Sequence, residues 1–130
     1  MTDIPPLAGW SGEIPEQDPT TAIVFVYQDL QELHENLKLV DNEAWLTKFE
    51  KNALDLDLEL DEYQHTTDVQ VLSIRNWFKN ARIKGNSLSD ALITDLKEVK
   101  RFLKKLIKED YESLESLMNH FEVYLSNKSL

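Results

Sequence analysis

Apolar side chains along this chain recur in steps of three and four, the period of one face of an α-helix. Val26, Leu30, Leu33, Leu37 and Val40 follow it first. Asp18 is a good N-cap and Pro19 suits a first helical position, so the pattern predicts a helix opening at Pro19. A second face runs through Trp45, Phe49, Ala53, Leu56, Leu60 and Tyr63, with Asp41 placed to cap it. His65 to Asp68 is a polar break. A third helix is expected from about Val69 to Lys84, with Gly85 as its C′ residue and Arg82 and Lys84 suiting the dipole of its last turn. Asn86 to Ser89 leads into a fourth face of Leu92, Leu96, Val99, Leu103 and Leu106. From Ile107 the frame continues through Tyr111, Leu114, Met118, Phe121 and Leu125. Lysines close one part of this stretch and acids open the next, as two opposed helix dipoles require, so a break is expected near Lys108 to Tyr111.

Two segments pull toward strand. Ala22 to Tyr27 is rich in β-branched and aromatic residues, and a short strand there competes with the helix. Leu54 to Asp61 alternates strictly between Leu and acid. Asp and Glu are poor strand formers, and the helical frame continues on both sides, so helix is expected.

All four prolines and two of the three glycines lie within the first 19 residues. Pro and Gly break helices. Residues 1–18 therefore read as an extended arm whose Trp10 and Ile14 tuck against the body, and residues 19–130 as a single helical-bundle domain. The expected fold class is all-α, a bundle of four to five helices with an extended Pro/Gly-containing N-terminal arm.

Charge changes the picture. The formal net charge is −10, and it is unevenly laid out. Residues 1–65 hold 15 acids and 3 bases, whereas Arg75 to Lys108 holds 10 bases and 3 acids. The chain has no cysteine, which removes disulfides, thiolate zinc sites and cysteine nucleophiles. It shows no secretory signal, and its longest apolar run, Ala22 to Tyr27, is far short of a bilayer span. A cytoplasmic protein is expected, with no membrane partner. There is no Gly-rich phosphate loop, HExxH or nucleophile elbow. His34, His65 and His120 are scattered. The expectation is a non-enzymatic protein with no metal and no cofactor.

Two charged surfaces are candidates for binding. Glu50, Asp55, Asp57, Glu59, Asp61 and Glu62 would line the exposed side of the second helix, with Trp45 or Tyr63 as an apolar anchor at its edge. Such a field captures a basic protein and sets its rate of association. The bland alternative is a solvated face, in part paired with the basic helix. Lys97, Lys100, Lys104 and Lys108 recur one turn apart, widened by Arg101. With Arg75, Lys79 and Arg82 they form a candidate nucleic-acid surface.

One further segment, Asn76-Trp77-Phe78-Lys79-Asn80-Ala81-Arg82-Ile83-Lys84, carries Trp-Phe-x-Asn-x-Arg, which resembles the recognition helix of homeodomain proteins. The resemblance implies that Trp77 and Phe78 anchor a helix, Asn80 reads adenine and Arg82 holds phosphate. Phe49 falls where that family's first-helix phenylalanine would lie. The match covers about nine residues. Where the family has a basic arm, residues 30–38 are acidic on balance, and where it has a second helix, residues 61–67 are polar. The family is therefore not assigned.

The leading expectation is a small acidic interaction protein of the immunity, antitoxin or inhibitor type. It would bind and inhibit a basic, nucleic-acid-handling protein. The alternatives are a nucleic-acid-binding or ribonucleoprotein subunit using Arg75 to Lys108, and a structural or regulatory helical subunit, including a homodimer.

Overall fold

A computed structural model describes residues 18–128. Six α-helices run in the order α1 Thr20–Glu35, α2 Glu43–Leu60, α3 Val69–Asn80, α4 Leu88–Leu92, α5 Leu96–Glu109 and α6 Tyr111–Lys128. Single turns of 3-10 helix, Leu37–Asp41 and Asp61–Tyr63, flank α2. Among the described residues there is no strand, and the all-α bundle is the observed fold. The arm, with Trp10 and Ile14, lies outside the described residues apart from Asp18.

Both strand-prone segments are helical. In Ala22 to Tyr27, Ile23 and Val26 enter the core with Leu30 and Leu33. A helix places all four on one side, whereas a strand would point Ile23 and Val26 to opposite faces. In Leu54 to Asp61, Leu56 and Leu60 are fully buried while Leu58 is exposed, so the repeat of four overrides the repeat of two.

Several boundaries differ from expectation, each for a local reason. The first helix ends at Glu35, because the Asn36 side chain accepts from the Lys38 amide and starts a 3-10 turn. Asn42, rather than Asp41, caps α2 by accepting from the Trp45 amide. Asp41 is thereby released to pair with α5. The third helix stops at Asn80, four residues early. Ile83 and Asn86 then exchange backbone hydrogen bonds across a tight turn whose central residues, Lys84 and Gly85, both have positive φ (53° and 89°). That geometry favours glycine, so Gly85 serves a turn beyond the helix rather than its C-cap. The fourth helix is split. Ser87 and Asp90 form a capping box for the short α4, and Asp95 caps α5 through the Glu98 amide. The expected break between the last two helices is present at Asp110.

The helices that carry the acidic surface are fixed by polar pins as well as by the core. α1 and α2 pack antiparallel. Asn52 donates to the buried Asp29 carboxylate at 2.9 Å, and Lys48 bridges Asp29 and Glu32 at 3.1 and 2.8 Å. Trp45 donates its indole N–H to Glu32. α6 closes the other side of α1 through Tyr27 to Glu122 and Thr20 to Tyr124. Phe49, Phe78, Phe121, Leu56, Leu103 and Tyr124 fill the centre.

Candidate functional site: the outer face of α2

The helical period divides the acidic run of α2 into two sets. Asp57 and Asp61 are four residues apart and share the inner face, and Glu50, seven residues before Asp57, lies on the same side. Asp55, Glu59 and Glu62 stand at i, i+4 and i+7 on the outer face.

Two of the inner set, Asp57 and Asp61, join helices. Asp57 is buried, with its side chain 3% exposed. Lys79 of α3 reaches its two oxygens at 3.3 and 3.4 Å, and the Ser89 hydroxyl of α4 donates to it at 3.1 Å. Lys79 also pairs with Asp61 at 3.1 Å, and Arg75 approaches Asp61 at 3.6 Å. Asp57, expected to face a partner, is instead buried in the joint between α2, α3 and α4, whereas Asp61, its side chain 44% exposed, shares the same lysine. The acidic and basic segments do pair, but the pairing helix is α3. Trp45 is likewise not a surface anchor. It is 6% exposed, stacked on Phe49 at 5.3 Å, and belongs to the core.

The outer set is different in kind. Among the described residues no base lies within ion-pair reach of Asp55, Glu59 or Glu62, and Glu50 has none either. With Asp18 and Thr21 from the start of α1, and with Leu58 and Tyr63, the three acids line a shallow groove. Burial comes first, then the carboxylates of Glu62, Asp18 and Asp55, in pushing the Glu59 carboxyl above its usual value. Burial and Glu59, Asp18 and Glu62 push the Tyr63 hydroxyl up as well. The last turn of α2 contains no basic residue. A helix C-terminus is the negative end of its dipole and favours cations, so acids there oppose it. The groove therefore joins the negative end of α2 to the first turn of α1, whose dipole has its positive end there.

A raised carboxyl pKa means the folded state favours the protonated form. Its contribution to stability is present below the ordinary glutamate value of 4.5 and is lost as pH rises through the folded value. At neutral pH Glu59 is therefore a cost. Glu59→Gln is expected to raise the urea midpoint at pH 7, and the gain over wild type should shrink as the pH falls through the raised folded value toward 4.5.

The basic residues are mostly spoken for. Arg82 lies 3.6 Å from Asp90 and donates to the Lys79 carbonyl. Lys84 and Lys105 approach Glu109, and Arg101 pairs with Glu98. Lys100 and Lys104 converge on Asp41 at 3.5 and 2.8 Å. The hydrogen bond from Lys104, followed by the other interactions of the two lysines, holds the Asp41 carboxyl below the usual range. Lys97 and Lys108 alone of the proposed stripe have no acidic partner among the described residues.

The homeodomain-like segment is used for packing. Phe78 is fully buried. Trp77 meets Phe78 and Phe102 edge-on, each at 6.2 Å, and its indole N–H donates to Ser113. Asn80 is the exposed last residue of α3, and Arg82 lies in the loop beyond it. Of the two residues that the resemblance would place on DNA, only Asn80 is on the helix.

No family model, curated protein or solved structure matches this chain. Function therefore has to be read from the surface itself. Among the described residues no cluster of His, Asp and Glu could hold a metal ion, and no helix is long and apolar enough to cross a membrane.

Sequence reasoning found Asp55, Glu59, Glu62 and Tyr63 but missed Asp18, Thr21 and Leu58 in the same groove. Projecting Leu54 to Glu62 onto a helix would have separated Leu58 from the buried leucines. That Thr21 and Asp18 join them depends on how α1 packs on α2.

Proposed function

We propose that this protein captures a basic, nucleic-acid-handling protein through the outer face of α2 and blocks it. Asp55, Glu59 and Glu62 would stand in for phosphates in the partner's cleft, with Leu58 and Tyr63 as apolar contacts. The observation that carries this reading is that, among the described residues, no base lies within ion-pair reach of these three carboxylates, the middle one of which, Glu59, is held above its usual value by burial and by its acidic neighbours. Retaining such charge is reasonable when a partner neutralises it. Long-range attraction then speeds association, and contact at the groove fixes orientation.

The test is binding kinetics with the partner recovered from native lysate. Asp55→Asn, Glu59→Gln and Glu62→Gln together should slow association at least tenfold at low salt and flatten its dependence on salt, because the lost contribution is long-range and screened. Dissociation should change less. Unchanged association rates would remove this face from the account.

The rival reading is nucleic-acid binding through Arg75 to Lys108. Most of those bases already face a carboxylate, which leaves little charge for phosphate. On heparin at low salt the protein is expected to flow through, and firm retention would favour the rival.

A further inference from the structure

The seam beside the acidic groove carries a second, apolar signal. Phe25 of α1 is 50% exposed and Leu58 of α2 is 57% exposed. The α1–α2 register brings them to neighbouring levels. Asp29 of α1 meets Asn52 of α2, and Thr21 lines the groove with Asp55 and Leu58. Phe25, midway between Thr21 and Asp29, therefore lies about level with Asp55, one turn from Leu58 along α2. Two large apolar side chains thus stand along the seam between the antiparallel helices, Leu58 in the groove with Asp55, Glu59 and Glu62, and Phe25 one turn beyond Thr21.

Resting on the capture of a basic partner, we infer that the element seated in this seam is an amphipathic α-helix of the partner, with an apolar ridge against Phe25 and Leu58 and Lys or Arg on its flanks toward the three carboxylates. Two observations choose a helix. The axes of packed helices lie roughly 8–10 Å apart, and the groove between them accepts the ridge of a third. At the level of Phe25 and Asp55, inside both helices, the backbone groups of α1 and α2 are used within their own helices. An extended peptide would find no backbone partners there, whereas a helix brings its own hydrogen bonds. Charge complementarity chooses basic flanks, and the apolar pair supplies the anchors of helix-in-groove recognition.

The probes are two synthetic 18-residue peptides of identical composition, Leu with Lys and Arg. One places its leucines at helical spacing, and the other scrambles them. The helical peptide should bind at least tenfold more tightly than the scramble and gain helicity on binding. Phe25→Ser with Leu58→Ser should lose at least tenfold of that affinity while leaving the salt dependence unchanged. Leu58→Lys, an exposed position that leaves the core intact, should give a similar loss. Equal affinity for the two peptides, or no effect of these variants, would overturn the inference and leave capture by charge standing. Failure of both peptides to bind the wild type would overturn the inference together with the function on which it rests.

Discussion

Lys79→Met is expected to be the most damaging single change at any charged position, lowering stability by about 3–5 kcal/mol. It strands Asp57, buried with only Ser89 left to solvate it, and takes from Asp61 its shorter ion pair. Removing one partner of a buried pair leaves an uncompensated charge, and the loss exceeds anything the pair itself contributes. The second half of the expectation separates that cause from lost packing. Asp57→Leu combined with Lys79→Met should recover most of the stability, since an apolar pair of similar volume commonly equals or exceeds the ion pair it replaces. Urea denaturation of the two single variants and the double variant checks this. If Lys79→Met falls within about 0.5 kcal/mol of wild type, a range ordinary for surface substitutions, the joint between α2, α3 and α4 is not as described.

Phe78→Ala and Trp77→Ala should each destabilise by about 3–5 kcal/mol. Phe78 is fully buried, and Trp77 links α3 to Phe102 of α5 and Ser113 of α6. Asn80→Ala, exposed at the end of α3, should change stability by less than about 0.5 kcal/mol. The wild type is also expected to show no sequence-specific binding to duplex DNA at physiological salt. Its net charge of −10 opposes the phosphate backbone, and Arg82 is engaged by Asp90. Thermal denaturation measures the first effect. Selection from random duplexes measures the second, and enrichment of one sequence that Asn80→Ala abolishes would revive the homeodomain-like role.

The helices were legible because their apolar period is strong and proline is absent after residue 19. What escaped was local competition between caps. Asp41 and Asn42 both suit an N-cap, and in the fold Asn42 takes the role while Asp41 pairs with Lys104 of α5. The split of the fourth helix was written in Asp95 and Glu98, the spacing of a capping box, but the apolar frame from Leu92 to Leu96 runs straight across it. The acidic run was legible as a surface, and its division was not. Asp57 and Asp55 are the same residue type two positions apart. One is buried against Lys79 because α3 crosses that side, and the other faces outward. Such a difference is a property of packing between helices distant in sequence.

The central claim is that the outer acids of α2 act as a specific surface and not merely as part of a negative protein. Its most direct test is quantitative mass spectrometry of proteins retained from native lysate by three forms of the chain. The first is wild type. The second is Asp55→Asn, Glu59→Gln and Glu62→Gln. The third neutralises three exposed acids elsewhere, Glu35→Gln, Glu112→Gln and Glu115→Gln, and so has the same net charge as the second. The account predicts that a basic, nucleic-acid-handling protein is retained by the first and third and lost from the second. Equal retention by all three, or equal loss from both variants, would contradict it.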